Sequence, residues 1–129
     1  MIDIEEIRKD PKNQNWFVIS YKQPLTEDFI REFQDYVSWT EISWQQKLSE
    51  NFMEEFQNKL DWNEISDYQV LSEDFIRKFQ NKVNWFWVSN KQKISKELII
   101  EFVDKINFKS LCYNIYITDE VKEFCKIFI

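Results

Sequence analysis

Hydrophobic and polar positions recur along this chain with a constant spacing of 23 residues. Leu25, Leu48, Leu71 and Ile94 each open the same succession: a small hydroxyl residue, mostly acidic residues, and then apolar residues four apart. That spacing is typical of the buried face of a helix, because strands alternate with a period of two. The pattern therefore predicts a tandem helical repeat, and such a repeat determines the whole fold.

Each repeat contains two predicted helix starts. The opening residue is always Ser, Thr, Asp or Asn, whose side-chain oxygen can accept a backbone N–H group of the first helical turn. The predicted N-caps of the first helices are Asp3, Thr26, Ser49, Ser72, Ser95 and Thr118. Those of the second helices are Asn15, Ser38, Asp61, Asn84 and Asn107, which are followed by Trp16, Trp39, Trp62, Trp85 and Phe108.

The second segment of each repeat leaves one alternative open. The short pattern from the Trp to the following Ile-Ser could form a strand, which would give an α/β coil like that of leucine-rich repeats. The N-cap residues and the i, i+3 spacing of Trp and Ile favour a helix instead.

We therefore predict an all-α protein, an α-solenoid of five 23-residue helix–turn–helix repeats followed by a C-terminal half-repeat. Such short helix pairs bury their apolar faces only by stacking on neighbours. In the first repeat, Glu6 and Asp10 replace phenylalanines and Pro11 interrupts the helix, as expected of a polar N-terminal cap. The predicted repeats, all in a single domain, are 2–24, 25–47, 48–70, 71–93 and 94–116, with the half-repeat at 117–129.

The composition excludes several kinds of chemistry. The 129 residues include no Gly and no His. Without Gly there is no phosphate-binding loop of the Walker or dinucleotide type. Without His there is no Ser-His-Asp triad and no histidine-based metal site. We expect no enzymatic activity, no cofactor and no metal.

Charge and cysteine content restrict the partners and the compartment. The net charge of −6 disfavours direct binding to nucleic acid or to an anionic membrane. No apolar run approaches the roughly 18 residues that span a bilayer, and residues 1–10 do not resemble a signal peptide. Two cysteines, Cys112 and Cys125, are too few for a disulfide scaffold. We expect a protein of a reducing compartment, the cytoplasm.

The consensus LSEDFIREFQ, followed by a Trp, an Ile-Ser pair and a Gln, resembles short tandem helical repeats of giant DNA virus and phage proteins. The resemblance covers residues 2–129 and is clearest at 71–92 and 25–46. It implies an uncharacterised helical-repeat protein of viral origin and transfers no catalytic residue. The last full repeat departs most, because Phe108 replaces Trp, Cys112 replaces Ser, and Ile115 replaces the recurring glutamine.

Three recurring rows of side chains have both a structural and a functional interpretation. The tryptophans that follow the second caps could stack on bases or sugars, but repeated aromatics usually form core. The serines (Ser20, Ser43, Ser66, Ser89) and glutamines (Gln23, Gln46, Gln69, Gln92) could form a polar binding ladder. We expect instead that they bond to the backbone of helices and loops. Aromatic residues outside the tryptophan row are better candidates for a partner-binding surface, above all Trp44, Trp87, Phe86 and Tyr68, with Tyr21 as a further member of the set.

Carboxylates cluster after the first caps. Stacked repeats would align them into an acidic edge, which is either a solvated face or a mimic of a nucleic-acid backbone. The residues of this predicted edge are Glu27, Asp28, Glu50, Glu73, Asp74, Glu97, Asp119 and Glu120.

The C-terminal half-repeat is rich in apolar residues. Phe124, Ile127 and Phe128 are expected to form an exposed, partner-binding patch, which docks against another protein or against a second copy in a two-fold dimer. Our first functional hypothesis is a non-enzymatic protein-binding module, a viral or phage accessory protein that blocks a host protein. The alternative is an acidic nucleic-acid mimic that inhibits a nucleic-acid-binding defence factor of the host, in the manner of an anti-CRISPR protein.

Overall fold

The computed structural model describes residues 2–129, which form eleven short α-helices and no strand. The all-α prediction is confirmed, and the strand alternative is wrong because each Trp-led segment is helical. The first helices of the repeats are α1 (Ile4–Lys9), α3 (Glu27–Glu32), α5 (Glu50–Glu55), α7 (Glu73–Lys78), α9 (Lys96–Glu101) and α11 (Asp119–Cys125). The second helices are α2 (Trp16–Lys22), α4 (Trp39–Gln45), α6 (Trp62–Tyr68), α8 (Trp85–Lys91) and α10 (Phe108–Leu111).

All the predicted N-caps stand immediately before helices. In α3, for example, the Thr26 side chain accepts a hydrogen bond from the backbone N–H of Phe29. Ser38 is the exception among the described residues, because its side chain makes no such bond. Its own backbone N–H donates instead to Ser20 Oγ at 2.9 Å, which fixes the start of α4 from the preceding repeat.

The first helices end earlier than the apolar periodicity predicts. Phe33 is the C-cap of α3, and Val37 lies beyond it in a turn. The Val37 N–H still donates to the Phe33 carbonyl oxygen at 3.1 Å, so that helical spacing persists where the helix has ended. Pro11 acts as predicted: α1 ends at Lys9, and Pro11 opens a short 3-10 turn, Pro11–Asn13.

The chain divides into two compact bodies, one extending to Leu60 and the other from Asp61 to Ile129. Within the N-terminal body, α2 packs against α4. Within the C-terminal body, α8 packs against both α6 and α10, and α11 packs against α10. Within each body, the second helices of successive repeats are therefore neighbours, as expected of a helical repeat. The assignment of all repeats to one domain stays a prediction.

The tryptophan row is half-buried and packs against core phenylalanines. Trp39 packs on Phe56 with ring centroids 5.2 Å apart, and Trp85 packs on Phe102 at 4.9 Å. The indole N–H of Trp85 donates to the Gln80 carbonyl oxygen at 2.9 Å. Each of these rings therefore packs on a phenylalanine of the next repeat, and the indole N–H of Trp85 also holds the turn before its own helix by a hydrogen bond.

Candidate functional site

The serine row is buried and fully used inside the fold. Ser66 Oγ donates to the Trp62 carbonyl oxygen at 2.7 Å and accepts from the Asn84 backbone N–H at 2.8 Å. Ser89 makes the same pair of bonds with Trp85 and Asn107, at 2.6 and 3.0 Å. The row therefore satisfies backbone groups, as expected, and offers nothing to a ligand.

The glutamine row joins the loops of successive repeats. Gln92 Nε2 donates to the carbonyl oxygens of Ser66 and Gln69 at 2.9 and 2.7 Å, and Gln92 Oε1 accepts from the Leu71 N–H at 3.0 Å. In the N-terminal body, Gln46 makes the three equivalent hydrogen bonds with Leu25, Ser20 and Gln23, each at 2.9 Å. The structural interpretation of this row is confirmed.

In the last full repeat, the side-chain amide that makes these hydrogen bonds belongs to the residue one position before the glutamine position. Asn114, buried, donates through Nδ2 to the carbonyl oxygens of Ser89 and Gln92, both at 2.8 Å. These are the partners that a glutamine would have had. Ile115, which occupies the glutamine position in the sequence, is thereby released to the surface.

Part of the predicted acidic edge caps the next repeat. Glu27 accepts hydrogen bonds from the Ser49 backbone N–H and hydroxyl at 2.7 and 3.0 Å. Glu73 makes the same two bonds with Ser95, at 2.7 and 3.0 Å. These carboxylates are therefore structural acceptors at the start of α5 and α9.

Arginines offset further charge along this face. Asp28 lies 2.9 Å from Arg31 Nη1, and Asp74 stands in the same relation to Arg77 at 3.0 Å. Of the remaining predicted edge residues, Glu97 and Asp119 are exposed, Glu50 is half-buried, and Glu120 lies 3.9 Å from Lys96.

A salt bridge also links successive first helices. Arg31 Nε lies 3.0 Å from Glu55 Oε1, and Arg77 Nε lies 2.9 Å from Glu101 Oε1. In the first repeat, Arg8 donates to Glu32 at 2.6 Å, and this hydrogen bond lowers the pKa of the Glu32 carboxyl. The cations along the first helices thus make this face less negative than the sequence of carboxylates alone suggests.

The predicted partner-binding aromatics are distributed over both bodies. Phe86 and Trp87 contact each other edge to face, with centroids 4.8 Å apart. Trp44 lies in the other body, where its indole N–H donates to Glu41 at 2.8 Å. Tyr68 is exposed and lines a separate groove, described below.

The C-terminal patch is partly structural. Phe128 stacks on Phe108 with centroids 4.6 Å apart and meets Phe124 edge to face at 5.4 Å. Phe128 remains 43% exposed, and Ile127 is 76% exposed. Lys122 occupies the position at which α7 and α9 have a buried isoleucine, so α11 is more polar than the apolar content of the half-repeat predicts.

A cluster of exposed apolar side chains surrounds a groove in the C-terminal body. The groove has a volume of about 420 Å³ and lies where α6, α8 and α10 end and their loops begin. Its large apolar and aromatic side chains are between 52% and 92% exposed. We call it the tyrosine groove and define it by Tyr68, Val70, Tyr113, Ile115 and Tyr116.

Polar groups also line the tyrosine groove. Asp67 Oδ1 is a buried atom with no hydrogen-bond partner within residues 2–129, although the Lys91 ammonium lies 3.6 Å away. Lys91 also lies over the Trp87 ring, at 6.0 Å from its centroid. Asn90 and Lys93 complete the polar lining.

Sequence reasoning identified only Tyr68 at this groove. Tyr113, Ile115 and Tyr116 were missed, although the break in the glutamine row at Ile115 marks the place. A smaller groove of about 190 Å³ occupies the equivalent location in the N-terminal body. There Tyr21 and Lys47 stand at the repeat positions of Tyr113 and Tyr116.

The cysteines offer no activated nucleophile. Cys112 is half-buried, and its Sγ donates to the Phe108 carbonyl oxygen at 3.3 Å, as the serine of other repeats does. Cys125 is buried, and burial raises the pKa of its thiol, with a smaller contribution from Cys112. A raised pKa keeps the thiol protonated and unreactive at neutral pH.

Within residues 2–129, no group of three or more potential His, Cys, Asp or Glu ligands is placed to hold a metal ion. None of the helices described combines the length and the apolar character that crossing a membrane requires.

Comparison with protein-family models, curated proteins and solved structures found no significant match to this chain. Membership in a viral or phage repeat family therefore stays a prediction.

Proposed function

We propose that the chain is a non-enzymatic α-solenoid that binds another protein through the tyrosine groove. The observation that carries this proposal is the contrast between the groove and the rest of the repeat pattern. The recurring Ser and Gln side chains are hydrogen-bonded to backbone groups, whereas Tyr113, Ile115 and Tyr116 project from the surface. Exposed tyrosines beside aliphatic side chains are typical of the residues that dominate protein interfaces.

The resemblance of the repeats to those of giant viruses and phages supports a more specific role. We propose an accessory protein that acts in the cytoplasm of a host cell, where it occupies and blocks a host protein. Binding through a preformed groove requires no catalytic group, which suits a chain without His or Gly.

The acidic edge supports this role less well than the groove does. Glu27 and Glu73 are held by the caps of the following repeats, and the charges of the exposed Asp28 and Asp74 are offset by neighbouring arginines. A nucleic-acid mimic would need such carboxylates to face its partner. Mimicry of a nucleic acid through the acidic edge is therefore the competing hypothesis.

Affinity capture with matched variants tests the proposal. The proteins captured by the immobilised wild type are compared with those captured by two double variants. The first is Tyr113→Ala/Tyr116→Ala, and the second is Tyr21→Ala/Lys47→Ala, which alters the equivalent positions of the smaller groove. We expect a partner protein that is retained by the wild type and by the second variant but lost by the first. Retention by all three proteins would refute the assignment to the groove.

The salt response separates the two functional hypotheses. Contacts through tyrosine and aliphatic side chains should survive when NaCl is raised from about 0.1 M to about 1 M, whereas binding through an acidic edge should be lost. Loss of the partner at high salt, together with insensitivity to the tyrosine substitutions, would favour mimicry.

A further inference from the structure

The tyrosine groove offers more hydrogen-bond donors than acceptors. Lys91 and Lys93 carry ammonium groups, which donate but cannot accept. The tyrosine hydroxyls and the Asn90 amide can both donate and accept, and Asp67, which is paired with Lys91, supplies the one carboxylate among the lining residues. A complementary ligand is therefore rich in acceptors and poor in donors.

The walls of the groove select the shape of the ligand. A peptide cannot add to a sheet edge here, because residues 2–129 contain no strand. A long amphipathic helix needs a continuous apolar groove, which Lys91 and Lys93 interrupt. Aromatic-lined grooves are the usual docking sites for extended polyproline segments, whose fixed backbone loses little conformational entropy on binding.

Proline also matches the excess of donors. A prolyl residue retains its carbonyl acceptor but has no N–H group. Its ring packs on exposed aromatic faces such as those of Tyr113 and Tyr116. A run of prolines therefore presents carbonyls to the lysines and hydroxyls while placing apolar rings between the tyrosines.

We propose that the tyrosine groove binds an extended, proline-rich segment of the partner protein, flanked by an acidic residue. The flanking carboxylate pairs with Lys93, which is exposed at the groove. A non-proline residue of the segment donates its backbone N–H to the partly exposed Asp67 carboxylate, whose buried Oδ1 has no hydrogen-bond partner within residues 2–129 and lies 3.6 Å from the Lys91 ammonium. This inference rests on the proposed function, because it names the kind of partner that the same groove binds.

Single-stranded nucleic acid is the competing occupant, since bases also stack on tyrosines and phosphates also pair with lysines. The Asp67 carboxylate in the groove and the net charge of −6 oppose a polyanion. The two occupants respond in opposite ways to Asp67→Asn. Loss of the negative charge weakens a bond to a peptide N–H, whereas it relieves the repulsion of a phosphate.

Fluorescence anisotropy with labelled probes tests the inference on the full chain. The first probe is a synthetic peptide of prolines and leucines flanked by glutamate, the second has lysine in place of glutamate, and the third is oligothymidylate. We expect the first probe to bind most tightly. Tyr113→Ala/Tyr116→Ala should weaken it by about tenfold or more, and Asp67→Asn by severalfold.

The matched controls keep the test specific. Tyr21→Ala/Lys47→Ala should leave binding of the first probe unchanged, and circular dichroism should show the same helix content in every variant. Tyr113→Phe/Tyr116→Phe retains the ring faces and should retain most of the affinity.

Three results would overturn the inference. These are failure of the wild type to bind the glutamate-flanked proline peptide, binding that survives loss of both tyrosines, and tighter binding of oligothymidylate that Asp67→Asn enhances. If the peptide fails while affinity capture still depends on Tyr113 and Tyr116, only this inference is wrong. If capture does not depend on those tyrosines, the proposed function fails as well.

Discussion

The side-chain amide of Gln92 donates a 2.7 Å hydrogen bond to the carbonyl oxygen of Gln69, its counterpart one repeat earlier. Both residues are buried, so this bond and its two companions replace contacts with water that the loop has lost. The glutamine row is therefore a recurring link between repeats, and its loss should be costly.

Replacing Gln92 with Met tests that link. Met keeps the length of the side chain but leaves two buried carbonyls and one N–H without their partner. We expect the free energy of unfolding to fall by at least about 2 kcal/mol, measured by urea denaturation. Gln45→Met, at an exposed position, is the control and should change it by less than about 0.5 kcal/mol. Equal stability of the two variants would contradict the assigned role.

The Arg8–Glu32 bond predicts a dependence of stability on pH. Because Arg8 lowers the pKa of Glu32 in the folded protein, the ionised carboxylate stabilises the fold above its unfolded pKa of about 4.3. That stabilisation is lost as the pH falls through the lower pKa of the folded state.

The measurement is the urea midpoint at neutral pH and at about pH 3. The midpoint of the wild type should drop more than that of Glu32→Gln, which has no carboxyl to protonate. Asp104→Asn removes an exposed carboxylate and should follow the wild type. A wild-type curve parallel to that of Glu32→Gln would disprove the linkage.

The two cysteines should differ in reactivity. Cys125 is buried and its pKa is raised by burial, whereas Cys112 is half-buried. Iodoacetamide at about pH 8 should alkylate Cys112 first and leave Cys125 unmodified until urea is added, as followed by mass spectrometry. In Cys112→Ser, which restores the residue type of the other repeats, the native protein should remain unlabelled. Rapid labelling of that variant would show that Cys125 is accessible.

Self-association through the C-terminal patch stays a prediction, and Ile127 is its sharpest probe. Ile127 is exposed, whereas Phe128 also stacks on Phe108 and would lose stability when replaced. If two copies meet at this patch, Ile127→Glu should convert a dimer into a monomer in sedimentation velocity at micromolar concentration. Ile100→Glu, at an exposed isoleucine of α9, is the comparison. A wild type that is already monomeric would rule out the dimer.

The sequence was most informative where local chemistry decides the structure. The cap residues marked every helix start, because Ser, Thr, Asp and Asn side chains bond to the N–H groups that a first turn leaves open. Helix ends were harder to locate. Val37 continues the apolar spacing of α3 although the helix ends at Glu32, because burial requires a side chain at that place, whatever the backbone conformation.

The site was less predictable because it arises where the repeat pattern fails. Asn114 takes over the amide bonds of the missing glutamine from the neighbouring position, which a comparison of equivalent positions cannot show. The exposure of Ile115 follows from that shift. The acidic edge illustrates the opposite error, since Glu27 looked solvated in the sequence but is an acceptor for Ser49.

The bonds from Glu27 to Ser49 and from Glu73 to Ser95 span the same 22 positions. In both pairs one copy supplies the acceptor and its successor the donor, whereas Ile4 and Lys96 occupy the acceptor position in the first and last full repeats. Gaining or losing a whole copy, as unequal crossing-over does to a gene, leaves every such partnership intact. Gaining or losing a single residue between partners shifts them out of step, so we expect related genes to differ in length by multiples of 23 codons.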